Sequence, residues 1–344
     1  MVVIGGAGAP YWAPMKELQA IVRHLCASGS ASVLATLVSV EGSSYRRAGA
    51  RMLAAEGEGR MGAISGGCLE EDLLEHAKRV AASGRPELVL YDTAAENDLV
   101  WGVGLGCHGV VRVLLEPLSP RPAWAAAVAE NMRAGRPTPL EVVWQGPPQS
   151  LGTRLRPGSG AAAPGDGVFH EIVEPPTALA IFGAGDDAMP LCRMAAELGW
   201  SVTVADPRRS MASAARFPGA AGLVLGPAED LVVRAAPRPG SLAVVMTHRY
   251  REDVPLLRQL LPLPLAYLGL LGPRLRAERI LGDLARDGFG VTQQMRSMLH
   301  APVGLDLGSE GPEAVALSIL AEMSAALAGR DARPLRERTL PIHA

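Results

Sequence analysis

A chain of 344 residues with 48% apolar and only 4% aromatic content is long enough for two domains with aliphatic cores, a composition typical of α/β folds. A formal net charge of −2 and the scarcity of aromatic residues argue against a nucleic-acid partner. Four cysteines (Cys26, Cys68, Cys107 and Cys192), none in a CxxC spacing, make no disulfide scaffold, and no run of about 18 apolar residues suggests a membrane span.

Residues 1–14 lack the basic and apolar regions of a secretory signal, so the chain reads as cytoplasmic. Val2–Gly8 looks like a nucleotide loop, but Pro10 and Pro14 stand where its helix should begin, and it is read as a lead-in. Lys16–Ala27 has helical periodicity and Ser32–Val40 is β-rich. The turn from Gly42 to Arg51 carries Ser43, Ser44, Arg46, Arg47 and Arg51. Hydroxyls and guanidinium groups in that density can hold a phosphomonoester or a pterin carbonyl, or can simply form a solvated loop. Arg51–Ala55 and Arg60–Ile64 predict a hairpin.

Two glycine-framed cysteine loops follow. In Ile64-Ser-Gly66-Gly67-Cys68, the glycines precede an amphipathic helix over Leu69–Val80 that ends at Gly84. A helix start favours a thiolate or a ligand anion, although Glu70, Glu71 and Asp72 oppose one. Between strands at Glu87–Tyr91 and Gly109–Leu115 lies Gly104-Leu-Gly106-Cys107-His108-Gly109, which could ligate a metal or carry sulfur but lacks zinc-site spacing. Cys26 and Cys192 fall in helical patterns and read as core. Residues 15–144 are therefore expected to form a small α+β domain, and the Pro/Gly-rich stretch 145–176 an interdomain linker.

From 177 to 330, apolar strands at 178–182, 201–205, 222–225, 242–246 and 265–270 alternate with helical segments, the pattern of a Rossmann-like doubly wound parallel sheet. Gly183-Ala-Gly185-Asp-Asp-Ala188 follows the first strand and opens a helix, the context that gives a GxGxxG/A pattern meaning. Asp206, about twenty residues on, is placed to bond a ribose diol. Asp186 and Asp187 would repel a pyrophosphate unless turned away. His248 follows a strand end that would line the binding crevice; His300 and Asp306 lie further on.

Taken in order, Val40–Met52, Ile64–Glu70, Tyr91–Asp92, Gly104–Gly109, Phe182–Gly185, Asp206–Arg208, Tyr267–Gly272 and Leu299–Asp306 resemble the xanthine dehydrogenase accessory factor (XdhC/CoxI) family over nearly the whole chain. The resemblance implies a molybdenum cofactor chaperone rather than a stand-alone catalyst. Such a protein binds molybdopterin or its cytidine dinucleotide, protects it during sulfuration, and inserts it into an apo molybdenum hydroxylase of the xanthine dehydrogenase type. Carried over, Ser43, Ser44, Arg46, Arg47, Gly66, Gly67, Cys68, Gly106 and Cys107 would surround the cofactor, with Cys68 and Cys107 contacting molybdenum. Gly183, Gly185, Asp206 and His248 would take a phosphate or nucleotide. A cysteine desulfurase is a further implied partner and a homodimer the expected assembly. Two readings stand beside it: an NAD-dependent oxidoreductase with His248 as base, and a thiol or persulfide sulfur carrier using Cys68 and Cys107.

Overall fold

The computed structural model describes residues 15–42, 44–55, 57, 59–92, 109–156, 167–308 and 310–339. The chain divides into two compact units that part between Pro176 and Thr177.

In the first unit, α1 (Met15–Ala27) buries Leu18, Ile21, Val22 and Leu25, the one-sided spacing of an amphipathic helix. The strands β1 (Ser32–Gly42), β2 (Arg51–Ala55), β3 (Gly59–Gly62), β4 (Glu87–Asp92) and β5 (Gly109–Leu118) form an antiparallel sheet in the order β3-β2-β1-β5-β4. Helix α2 (Glu70–Ser83) crosses from β3 to β4. It packs Leu73, Ala77 and Val80 with Val33, Leu37, Met52, Val113 and Leu115. Leu34, Leu53 and Leu118 belong to the opposite face, packed with α1 and with α3 (Ala123–Ala134).

Helix α2 stops at Gly84, which is left-handed (φ 63°) and donates its N–H to Val80 O at 2.9 Å. A Cβ there would meet nothing within 4 Å, so Gly84→Ala tests backbone strain alone. The expected cost is about 1 kcal/mol, read as a lowered midpoint in denaturant unfolding; an unchanged midpoint would mean that the left-handed cap is not maintained.

The expectation of a linker over 145–176 is corrected. Within that stretch β7 (Gly152–Leu155) and β8 (Val168–Val173) flank β6 (Thr138–Val143) in a three-stranded antiparallel sheet. Leu140 and Val173 enter the core with α1 and α3. Two polar ties bind this sheet to the larger one: Glu116 of β5 accepts from the Thr153 N–H (2.9 Å) and hydroxyl, and Arg51 of β2 pairs with Glu171. Burial pushes the Glu116 carboxyl up, against the pull of the two Thr153 donors. Pro and Gly here punctuate short strands, which composition alone does not distinguish from a tether.

In the second unit every strand pairing is parallel. The order is β11 (Gly222–Leu225), β10 (Ser201–Asp206), β9 (Ala178–Phe182), β12 (Leu242–Val245), β13 (Tyr267–Leu270), β14 (Leu299–His300). One core combines α4 (Ala188–Glu197) and α9 (Pro312–Leu327) with Ile181, Val204 and Val244. The other combines α5 (Ala228–Ala235), α6 (Tyr250–Leu260) and α7 (Arg274–Arg286) with Phe182, Val245 and Leu268, and Met295 and Met298 of the short α8 (Gln293–Met298) pack against it. Strands buried on both faces read as unbroken apolar runs, which is why they are legible in the sequence. The chain leaves β9 for β10 on one side and later returns to β12 on the other, so the topological switch point lies between the carboxyl ends of β9 and β12. No helix among the described residues is long and apolar enough to cross a membrane.

Candidate functional sites

One end of the five-stranded sheet gathers two of the loops that the sequence singles out. The turn after β1 and the loop before α2 meet there, since a Cβ on Gly66 would lie 3.7 Å from the Tyr45 ring. Gly42 pairs with Gly109 and Asp92 with Val110, so both strand ends that bound residues 93–108 are at this same end. Ser43, Gly106 and Cys107 lie outside the described residues.

Cys68 is exposed at the head of α2, while Cys192 is buried and its thiol is pushed up to about 11 by that burial. Cys26 is half-buried in the core with α1 and α3. The anion cradle expected in the Cys68 loop is filled from within. Ser65 Oγ accepts from the N–H groups of Gly67 (3.2 Å), Cys68 (3.0 Å) and Leu69 (3.1 Å), and donates to Glu70 Oε2 at 2.6 Å. The Glu70 carboxylate, buried beneath the loop, also accepts from the backbone of Ile64 (3.0 Å) and Ser65 (2.7 Å). Burial works to raise the Glu70 pKa, but the Ser65 hydroxyl and the backbone donors hold it below its ordinary value. The loop thus has its own resident carboxylate. Gly66 and Gly67 shape the turn and present the thiol, rather than offering these amides to a phosphate.

The arginine cluster is likewise partly spoken for. Arg46 makes a bidentate pair with Glu17 of α1 (2.7 and 2.8 Å), and Arg51 is buried against Gly49 O and Glu171. Ser44 is half-buried on the same turn, and Arg47 follows Arg46 along it. Sequence reading missed Tyr45, which is 67% exposed against the Cys68 loop. A single aromatic within the polar, glycine-bounded turn Gly42–Gly49 was the available signal.

The second site is the crevice at the switch point. Gly183 has φ 116°, and a Cβ on it would come within 2.5 Å of Met246 O, so β9 and β12 close on each other only over a glycine. Asp206, at the end of β10, is fully buried. Its Oδ2 accepts from Ala184 N (2.7 Å) and an Arg208 terminal nitrogen (2.8 Å), and its Oδ1 from Arg208 N (2.8 Å) and Nε (2.9 Å). Burial favours the neutral acid, yet Arg208 and these amides keep the carboxyl below its ordinary pKa. The ribose-binding expectation is therefore corrected: both oxygens are saturated, and Asp206 ties the glycine turn to Arg208.

The two carboxylates of the turn go separate ways. Asp186 pairs with Arg216 at 2.8 Å, whereas Asp187 Oδ2 lies 2.6 Å from His248 Nε2. His248 occupies the left-handed region (φ 59°) just after β12. Its anchor is Thr247, whose hydroxyl meets Asp253 at 2.5 Å and accepts from Arg249 N at 2.9 Å, with Asp253 held by Arg276 of α7.

A third cluster joins two of the segments that carry the family resemblance, Tyr267–Gly272 and Leu299–Asp306, through Glu322 of α9, for which the sequence carries no signal. Tyr267 donates to Glu322 Oε2 at 2.5 Å, His300 Nδ1 lies 3.0 Å from Glu322 Oε1, and the Tyr267 and His300 rings stack at 4.2 Å. Burial, then Glu322, push the Tyr267 phenol far up. Tyr267→Phe should cost about 1 kcal/mol of stability by removing one donor from Glu322, measured by chemical denaturation. No loss would show that Gly304 N, at 2.8 Å, suffices.

Comparison with known proteins decides the family. A profile of the XdhC Rossmann domain matches residues 179–323, and one of the XdhC and CoxI family matches residues 25–92. The chain belongs to the XdhC and CoxI family. It is 33% identical over 315 residues to a probable xanthine dehydrogenase subunit of Bacillus subtilis, covering 85% of this chain and 92% of that one. It is 26% identical over 301 residues to the molybdenum cofactor insertion chaperone PaoD of Escherichia coli, covering 86% and 84%. A crystal structure described as a xanthine dehydrogenase from Bacillus halodurans is similar with a TM-score of 0.78 and 30% identity, over 93% of this chain and 99% of that one. The XdhC match falls on the parallel sheet with the Gly183 turn, and the other on the segment containing Cys68.

Proposed function

We propose that this chain is a maturation factor for a molybdenum hydroxylase of the xanthine dehydrogenase type: it holds the molybdenum cofactor and inserts it into the apo-enzyme. The observation that carries this reading is likeness to PaoD, named as a molybdenum cofactor insertion chaperone, across 86% of the chain and both structural units. Locally, the exposed Cys68 supplies a soft sulfur donor suited to a thiophilic metal centre, held on a loop whose Gly67, Cys68 and Leu69 N–H groups are already satisfied by Ser65. Cys107 would be the second thiol, with Ser43, Ser44 and Arg47 as polar contacts from the turn after β1. Molybdopterin and its cytidine dinucleotide are the cofactor forms proposed, and the Gly183–Gly185 turn is the place for a nucleotide diphosphate. A cysteine desulfurase supplying sulfur to the held cofactor and a homodimer complete the proposal.

The NAD-dependent oxidoreductase reading loses ground because Asp206 offers no acceptor to a ribose diol. A persulfide carrier remains the second reading, and the exposure of Cys68 favours it.

Anaerobic titration of the protein with molybdopterin, its cytidine dinucleotide and NAD tests the reading, with Cys68→Ser and Cys107→Ser alongside. Tight pterin binding that drops at least tenfold in a cysteine variant is the expected result. NAD binding without pterin binding would contradict it, and a persulfide trapped on Cys68 without cofactor affinity would favour the carrier.

A further inference from the structure

The space directly over Gly185 is occupied by the protein itself. A Cβ placed on Gly185 would meet Asp187 Oδ1 at 2.8 Å and His248 Cδ2 at 3.8 Å. A bare glycine at this point of a βα turn is what allows a pyrophosphate to approach the backbone. Here the approach is filled by a carboxylate from the next loop residue but one.

Three features describe how Asp187 is held in this place. It precedes α4 with a helical backbone (φ −70°, ψ −24°) and makes no side-chain cap, the Met189 N–H being taken by Asp186 O and Pro190 having none to offer. Its Oδ2 reaches instead across the switch point to His248 on the β12 side. Its Oδ1 is buried with no hydrogen-bond partner, a cost that turning the carboxylate out to solvent would relieve. The same crevice rim has Arg208 on Asp206 and Arg216 on Asp186, so those cations are also neutralised by neighbours.

We infer that Asp187 is a resident stand-in for a ligand diphosphate: it closes the β9–β12 crevice through His248, and a diphosphate enters only by displacing it. In the displaced arrangement, the Asp187 carboxylate turns out to solvent, and His248 Nε2 becomes a donor to the phosphate. The crevice would then be selective as well as gated. A diphosphate carries enough charge to compete for His248, whereas a monoanionic ligand offers little that Asp187 does not already provide. This inference rests on the proposal that the Gly183–Gly185 turn takes a nucleotide diphosphate.

The test is calorimetric titration of wild type, Asp187→Asn, His248→Asn and the double variant with cytidine diphosphate and with inorganic pyrophosphate, at fixed salt. Asparagine keeps the shape of aspartate and tolerates the left-handed backbone of position 248. Circular dichroism and a melting curve check that each variant is folded. Asp187→Asn should bind cytidine diphosphate about tenfold more tightly than wild type, and adding His248→Asn should remove most of that gain. Equal or weaker binding by folded Asp187→Asn, with wild type binding, would overturn the gate and leave the nucleotide reading standing. If neither protein binds either probe, the nucleotide reading fails and the gate with it.

Discussion

Asp206→Ala is expected to lose about 3 kcal/mol of stability, with the second unit unfolding at a lower denaturant concentration. The carboxylate is completely buried and accepts four hydrogen bonds, two from the Arg208 side chain and two from backbone N–H groups. Alanine would leave the Ala184 N–H without an acceptor next to the glycine turn. It would also strip Arg208 of its counter-charge, and breaking one side of a buried pair costs more than the pair itself was worth. Asp206→Asn should recover only part of the loss, because its amide turns a donor toward Arg208. A ribose-reading residue would behave differently: stability would be nearly unchanged, and only nucleotide affinity would fall. Urea unfolding of the two variants separates the roles.

Glu70→Ala should cost a similar amount, about 3 kcal/mol, and its effect reaches the thiol. Glu70 accepts from Ile64 N, Ser65 N and the Ser65 hydroxyl, and that hydroxyl in turn collects the N–H groups of Gly67, Cys68 and Leu69. Without the carboxylate, the Ser65 proton loses its acceptor and the loop that presents Cys68 loosens. Faster reaction of Cys68 with a thiol probe should accompany the lower unfolding midpoint. Unchanged midpoint and reactivity together would mean that water replaces Glu70 without cost.

Both carboxyls also set an acid limit. Each is held below its ordinary pKa, 4.5 for Glu70 and 3.8 for Asp206. For a depressed acid the stabilisation is complete above the unfolded pKa and disappears as the pH falls through the folded one. Wild type should therefore lose stability steeply below about pH 4, while each alanine variant, lacking one of the groups, loses less over the same range. Parallel pH profiles for wild type and variants would contradict the assignment.

What could be read from the sequence follows from what each residue does alone. The parallel sheet was legible because its strands are unbroken apolar runs, and Gly183 because a glycine between a strand and a helix has few other reasons to be there. The 145–176 stretch misled, since turn residues dominate its composition while the pairing of β7 and β8 with β6 is non-local. Asp206 sits where a ribose ligand belongs by spacing, but the residue two places on, Arg208, folds back to occupy it. Glu70 and the acidic first turn of α2 looked like opposition to a thiolate, whereas Glu70 points under the loop as its anchor. The contact between Tyr45 and Gly66, and that between Asp187 and His248, join positions far apart in the chain. No local pattern encodes such meetings; the sheet brings them about.

Cofactor hand-over is the central claim, and reconstitution of an apo molybdenum hydroxylase tests it most directly. The protein is loaded anaerobically with molybdenum cofactor, freed of excess, and mixed with apo-enzyme of the xanthine dehydrogenase type. Hydroxylase activity should appear faster and to a greater extent than with free cofactor at the same concentration, and Cys68→Ser protein should lose this advantage. Activity no greater than with free cofactor, from protein shown to be loaded, would contradict it.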